Sequence, residues 1–151
     1  MEHDGANHIG LLVLDFAGVC TPALAELSTG DPSGPIPIRD DIWTLIEAAK
    51  DQQVTVAILS NEISTDWELS HDLFSAADHV IACSDNQIFK PDRRAFQRCL
   101  LLADRSAAET VVVDDEVDNV TVATSLGMQA VLFDTNDPAR SVAAIRELIG
   151  T

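Results

Sequence analysis

With 151 residues, 46% of them hydrophobic, the chain has the size and apolar content of one folded domain and is not a mainly disordered segment. Nine basic residues against twenty-five acidic give a formal charge of −16, a field that repels nucleic acid and anionic membrane surfaces. No apolar run approaches the roughly 18 residues needed to span a bilayer, Glu2, His3 and Asp4 stand where a secretory signal would be basic, and Cys20, Cys83 and Cys99 form no CxxC pair, which argues for a reducing cytoplasm and against a zinc or disulfide framework.

Residues 1–8 read as a short tail. The run Ile9-Gly-Leu-Leu-Val-Leu14 predicts a first strand that stops at Asp15. Thr21 to Ile38 holds Pro22, Gly30, Pro32, Gly34, Pro35 and Pro37, so this stretch is predicted to be loop, a flap at the sheet end where ligands bind. Asp40 to Asp51 carries Ile42, Leu45, Ile46 and Ala49 at helical spacing. A second strand, Val54-Thr-Val-Ala-Ile-Leu59, stops at Ser60-Asn61. Thr65 to Glu68 has the form of a capping box ahead of a helix with Leu69, Leu73 and Phe74. His79 to Cys83 reads as a third strand, and Pro91 as the opening of a helix with Phe96, Cys99, Leu100 and Ala103. Thr110-Val-Val-Val113 is a fourth strand stopping at Asp114-Asp115, followed by a helix from Val117 to Leu126 that Gly127 ends. A fifth strand runs from Gln129 to Phe133 before Asp134, and Pro138 opens a last helix.

Strands apolar on both faces, alternating with helices, predict an α/β fold: a three-layer, doubly wound, mostly parallel sheet of about five strands, in one domain over residues 1–151. In such a sheet the carboxyl ends of the strands share an edge, where Asp15 and Asp114-Asp115 can converge. Clustered carboxylates repel one another unless a cation sits among them, and an all-oxygen set favours Mg²⁺ over zinc. Any one of these acids, taken singly, could be no more than a turn former or a helix cap; their joint order along the chain is what points to a site.

Leu11-Leu-Val-Leu-Asp15-Phe-Ala-Gly18-Val resembles the first motif of the haloacid-dehalogenase-like hydrolases. Ile58-Leu-Ser60-Asn61 resembles the second, Lys90-Pro-Asp the third, and Val111-Val-Val-Asp114-Asp115 with Asn119 the fourth, and the match extends in order to Phe133. The resemblance implies that Asp15 is a nucleophile forming a covalent aspartyl intermediate. It implies that Ser60 and the backbone of Asn61 hold the transferring phosphoryl oxygens, and that Lys90 neutralises charge on the nucleophile. Asp15, the carbonyl of Ala17 and Asp114 would bind Mg²⁺, with Asp115 reaching it through water.

One position departs from the pattern. Most phosphatases of this superfamily carry a second Asp two residues after the nucleophile, as acid and base; here that residue is Ala17. Phosphoryl hydrolysis through Asp15 is the leading expectation. A slow or non-catalytic binding module stands beside it, as do carbon–halogen and carbon–phosphorus cleavage. The phosphonate-cleaving branch needs a large cap with its own lysine, and Lys50, the one lysine besides Lys90, sits toward the wrong edge of the sheet. A metal-free dehalogenase fits poorly with the Asp114-Asp115 pair. Asp118, His71 and Glu26 are candidate replacements for the missing proton carrier. A capless pocket would admit a phosphorylated macromolecule; closed by the flap or by a second subunit in a homodimer, it would take a phosphorylated small molecule.

Overall fold

In the computed structural model, residues 8–22, 37–61 and 71–151 are described. Five strands form one sheet in the order β3-β2-β1-β4-β5: β1 (Leu11–Leu14), β2 (Thr55–Ser60), β3 (His79–Ala82), β4 (Thr110–Asp114) and β5 (Gln129–Leu132). Every neighbouring pair is parallel. The helices are α1 (Asp40–Asp51), α2 (His71–Ala76), α3 (Arg93–Ala103), α4 (Val117–Ser125) and α5 (Pro138–Ile149).

The alternation of side chains along the strands divides the core in two. Leu12, Leu14, Val56, Ile58, Val111 and Val113 face Ile42, Leu45, Ile46 and Ala49 of α1 and Val142, Ile145 and Ile149 of α5. Leu11, Val13, Ala57, Leu59 and Val112 face Ala95, Phe96, Cys99 and Ala103 of α3 and Ala123 of α4. Both faces of the central strands are therefore dry, which is why these segments read as unbroken apolar runs and not as alternating ones. This is the predicted three-layer α/β arrangement. Chain order reverses at β1, whose neighbours are β2 and β4, and a crevice opens at that switch point.

Three expectations are sharpened. The helix predicted to open at Pro91 begins at Arg93; Asp92 caps it by accepting a hydrogen bond from the Arg94 N–H at 2.9 Å. An Asx cap satisfies an orphan N–H that proline in the first turn would merely lack. The loop predicted over 21–38 is anchored at its ends. Thr21 is fully buried, Ile38 packs on the core, and the Arg39 N–H donates to the Cys20 carbonyl at 2.9 Å. Residues 23–36 of the predicted loop, the tail 1–7 and the capping box at Thr65–Glu68 lie outside the described residues. The fifth strand is an edge strand with Leu132 49% exposed, so its apolar run reflects an edge and not a buried centre.

Candidate active site

The register of β1 against β4 pairs Leu14 with Val113, so the next residues, Asp15 and Asp114, leave the sheet side by side. The Asp15 N–H donates to the Val113 carbonyl at 2.9 Å. Lys90 reaches them from the turn ahead of α3. Its ammonium donates to Asp15 Oδ1 at 2.9 Å and to Asp114 Oδ2 at 2.7 Å, with the lysine side chain 2% exposed. Asp114 Oδ2 also accepts from Asn119 Nδ2 at 3.1 Å, and its Oδ1 accepts from the Glu116 N–H at 2.9 Å. Asp115, half-buried, completes the cluster: one carboxylate oxygen from each of Asp15, Asp114 and Asp115 lies within 4.8 Å of the others. Above them a cavity of about 370 Å³ is lined by Asp15, Ala17, Asn61, Lys90, Asp115 and Asp118, among others.

Burial pushes the Asp15 carboxyl up to about 8; the Lys90 ammonium pulls against this, and the Asp114 carboxylate adds to it. For Lys90, burial opposes the charged form, but the Asp15 and Asp114 carboxylates outweigh it and hold the ammonium above its ordinary value. With all three acids ionised, as a bound cation would require, three carboxylates against one ammonium would leave two negative charges, the charge of one divalent cation. The Cys20 sulfur is unsuited as a ligand: its thiol donates to the Asp15 carbonyl at 3.2 Å and is pushed far up by burial, so it stays protonated. An all-oxygen, largely buried set of this kind fits a hard cation such as Mg²⁺.

Gly18 makes the close approach of Asp115 to the loop after β1 feasible. Its φ of 87° lies in the left-handed region, and a Cβ placed there would collide with Asp115 Oδ2. We expect Gly18→Ala to cost about 1–2 kcal/mol from backbone strain alone and to displace Asp115, weakening divalent-cation binding as well. Urea unfolding with and without Mg²⁺ measures both; wild-type values in both would remove Gly18 from this role.

A family model of haloacid dehalogenase-like hydrolases matches residues 11–127, more than three-quarters of the chain and all of the residues just described. The chain belongs to this family. A sesquiterpene phosphatase, astK, of Aspergillus oryzae is 29% identical over 110 residues, covering 71% of this chain and 55% of that protein. The chain thus spans about half the length of that curated relative. Among solved structures, an uncharacterized protein from Corynebacterium glutamicum superposes with a TM-score of 0.71 at 25% identity, covering 94% of this chain and 96% of that one. A HAD family enzyme from Bacteroides thetaiotaomicron, solved in complex with magnesium and inorganic phosphate, superposes with a TM-score of 0.64 at 16% identity over 84% of this chain and 95% of that one.

In this HAD-like hydrolase, the residues expected at the site are largely brought together. Asp15, Ala17, Asn61, Lys90 and Asp115 line one cavity. Asp114 lies beneath it, 1% exposed, with both oxygens accepting protein hydrogen bonds. Ser60 ends β2 opposite Ala82, is fully buried and does not line the cavity. Asp118, read from sequence as a first-turn residue of α4, is exposed there and also lines the cavity, as does Glu116. Sequence reasoning passed over Glu116 because it lies outside every motif; its position directly after Asp114-Asp115 was the available signal. The side chains of Glu26 and His71 lie outside the described residues. Among the described residues, no helix is long and apolar enough to cross a membrane.

Proposed function

We propose that the chain hydrolyses a phosphate monoester through Asp15, with Mg²⁺ as the metal. The observation that carries this reading is the Lys90 ammonium bridging Asp15 and Asp114 at the floor of an open, acid-lined cavity. Asp15 would attack phosphorus, forming the aspartyl–phosphate bond as the ester P–O bond breaks; water would then displace the phosphate and return the free carboxylate. Lys90 holds Oδ1 of the nucleophile and opposes the charge that builds on the transferring group. Ser60 ends β2 and Asn61 follows it, Asn61 being the one of the pair that lines the cavity. Asp15, the Ala17 carbonyl and the Asp114-Asp115 pair would hold Mg²⁺, which would supply Lewis-acid neutralisation of the phosphoryl oxygens.

The hydrogen bonds favour a division of labour within the acid pair that differs from the expected one. Asp114 is already committed to Lys90, Asn119 and the Glu116 N–H. Asp115 faces the cavity and is the better direct ligand. Saturating Mg²⁺ at about 100 times its Kd should stabilise the wild type by about 2.7 kcal/mol, and Asp115→Asn should lose most of that gain. An Mg²⁺-dependent rise in Tm that is the same in both proteins would place the metal elsewhere.

Ala17 supports a second reading, a domain that binds or traps a phosphoryl group and turns over slowly. With Ala at this position, Glu116 and Asp118 are, among the described residues, the carboxylates of the cavity outside the metal cluster and the candidates it offers to protonate the leaving oxygen. A positioned acid/base contributes about 10²–10⁴-fold, so Ala17→Asp should raise kcat on an aryl phosphate by at least about tenfold. An unchanged kcat with Mg²⁺ still bound would show that this step does not limit the rate. The deciding experiment is a panel of phosphorylated metabolites with and without Mg²⁺, together with beryllofluoride trapping at Asp15. Turnover supports the hydrolase, and trapping without turnover supports the binding module. Neither would overturn both readings.

A further inference from the structure

We infer that Asn61 is a positioning residue for Lys90, acting through its side chain. The Asn61 carboxamide makes a reciprocal pair with the main chain of Lys90. Its Nδ2 donates to the Lys90 carbonyl at 2.9 Å, and its Oδ1 accepts from the Lys90 N–H at 2.9 Å. The two residues are 29 positions apart in sequence.

The turn that carries Lys90 explains why such a pair is needed. Residues 86–92 lie between β3 with its following turn and the start of α3, in neither helix nor strand. Lys90 therefore has no ladder or helical partner for its own N–H and C=O, and one asparagine side chain supplies both, as a neighbouring strand would. Buried backbone groups must be paired, so this arrangement is worth keeping for that reason alone. Its consequence reaches further. A lysine side chain is long and rich in rotamers, and an ammonium that must meet two carboxylates at 2.9 and 2.7 Å is placed well only if its root is also held. Asp15 and Asp114 fix the tip; Asn61 fixes the root. The β2 end is thereby joined to the ends of β1 and β4 through one side chain.

The pairing also fixes which way the amide points. Asn61→Asp replaces the donor with an oxygen that faces the Lys90 carbonyl and adds charge to an acidic cavity, so it is not a conservative change here. Asn61→Ala removes both bonds and adds nothing.

The inference rests on the proposed phosphatase reading for its catalytic consequence, but its first test needs no substrate. The chain has two lysines, the exposed Lys50 and the buried Lys90. Brief reaction with an amine-acylating reagent, read by mass spectrometry, gives the ratio of Lys90 to Lys50 labelling. Asn61→Ala should raise that ratio at least threefold. Thr110→Val, which removes a hydrogen bond to the Ser106 carbonyl at the opposite end of the sheet, should leave it at the wild-type value. An unchanged ratio in Asn61→Ala, or an equal rise in Thr110→Val, overturns the inference whether or not the protein is a phosphatase. Where the wild type turns over an aryl phosphate, Asn61→Ala should lower kcat about tenfold with little change in KM. Added to Lys90→Met, it should lower kcat no further. Losses that multiply would mean Asn61 acts on substrate independently, against the inference; absence of turnover in the wild type would count against the phosphatase reading and leave the labelling result to decide this one.

Discussion

Lys90→Met should destabilise the protein by about 3–5 kcal/mol, because removing one partner of a buried ion pair leaves the other charges without compensation. Here the single ammonium serves two carboxylates, Asp15 and Asp114, both nine-tenths or more buried. Methionine keeps the apolar stem, so packing loss is small and the effect is electrostatic. For a chain of this length, that loss lowers Tm on the order of 10 °C. Two partial rescues are expected. Mg²⁺ should recover part of the stability by supplying positive charge to the same oxygens, and at alkaline pH, where the raised Asp15 carboxyl is ionised, Asp15→Asn in the Lys90→Met background should recover part by removing one of the two stranded carboxylates. Chemical denaturation of the single and double variants in EDTA and in Mg²⁺ measures all of this. A Lys90→Met protein within about 1 kcal/mol of wild type in EDTA would mean that the bridge carries little weight in the folded state.

The second large effect concerns activity. Asp15→Asn should lower Mg²⁺-dependent hydrolysis by about a thousandfold or more, since an amide oxygen cannot form the covalent intermediate. Stability should move the other way. The Asp15 carboxyl is raised from 3.8 to about 8 by burial, so in the metal-free protein the folded state holds a proton there that the unfolded chain releases. Stability from this group is complete below pH 3.8 and is lost as pH rises toward 8. Asparagine, neutral at every pH, abolishes that slope. Unfolding free energies measured in EDTA between pH 5 and 8 should therefore fall less steeply for Asp15→Asn than for wild type, as expected for a carboxyl raised to about 8. Full hydrolysis by the variant would remove Asp15 from the mechanism, and parallel pH slopes would remove it as the buried titrating group.

The layered fold was legible because the central strands are dry on both faces. Leu11–Leu14 and Val111–Val113 are apolar at every position, which is the signature that a covered parallel sheet imposes on its sequence. The strand ends were legible for a related reason: a polar residue that breaks such a run marks where the backbone leaves the core, as Asp15 and Asn61 do. Helix starts were less so. Pro91 and Asp92 are both acceptable near a helix N-terminus, and only the direction of the Asp92 side chain toward the Arg94 N–H decides between them.

From the chain alone came the fold class, the family resemblance, and the set of residues expected to meet at one edge, Asp15, Ala17, Ser60, Asn61, Lys90 and Asp114-Asp115, of which all but Ser60 and the enclosed Asp114 line the cavity. Local propensity and burial act on neighbours in sequence and leave a trace in the order of residue types. The tertiary structure decided what each of them touches. That Asn61 grips the main chain of Lys90, that Asp114 is enclosed while Asp115 faces the cavity, that Ser60 is fully buried and that Gly18 leaves room for a carboxylate all depend on contacts between segments far apart in the chain. Such contacts are set by how β1, β2 and β4 lie against one another, a relation between strands that no single stretch of residues encodes.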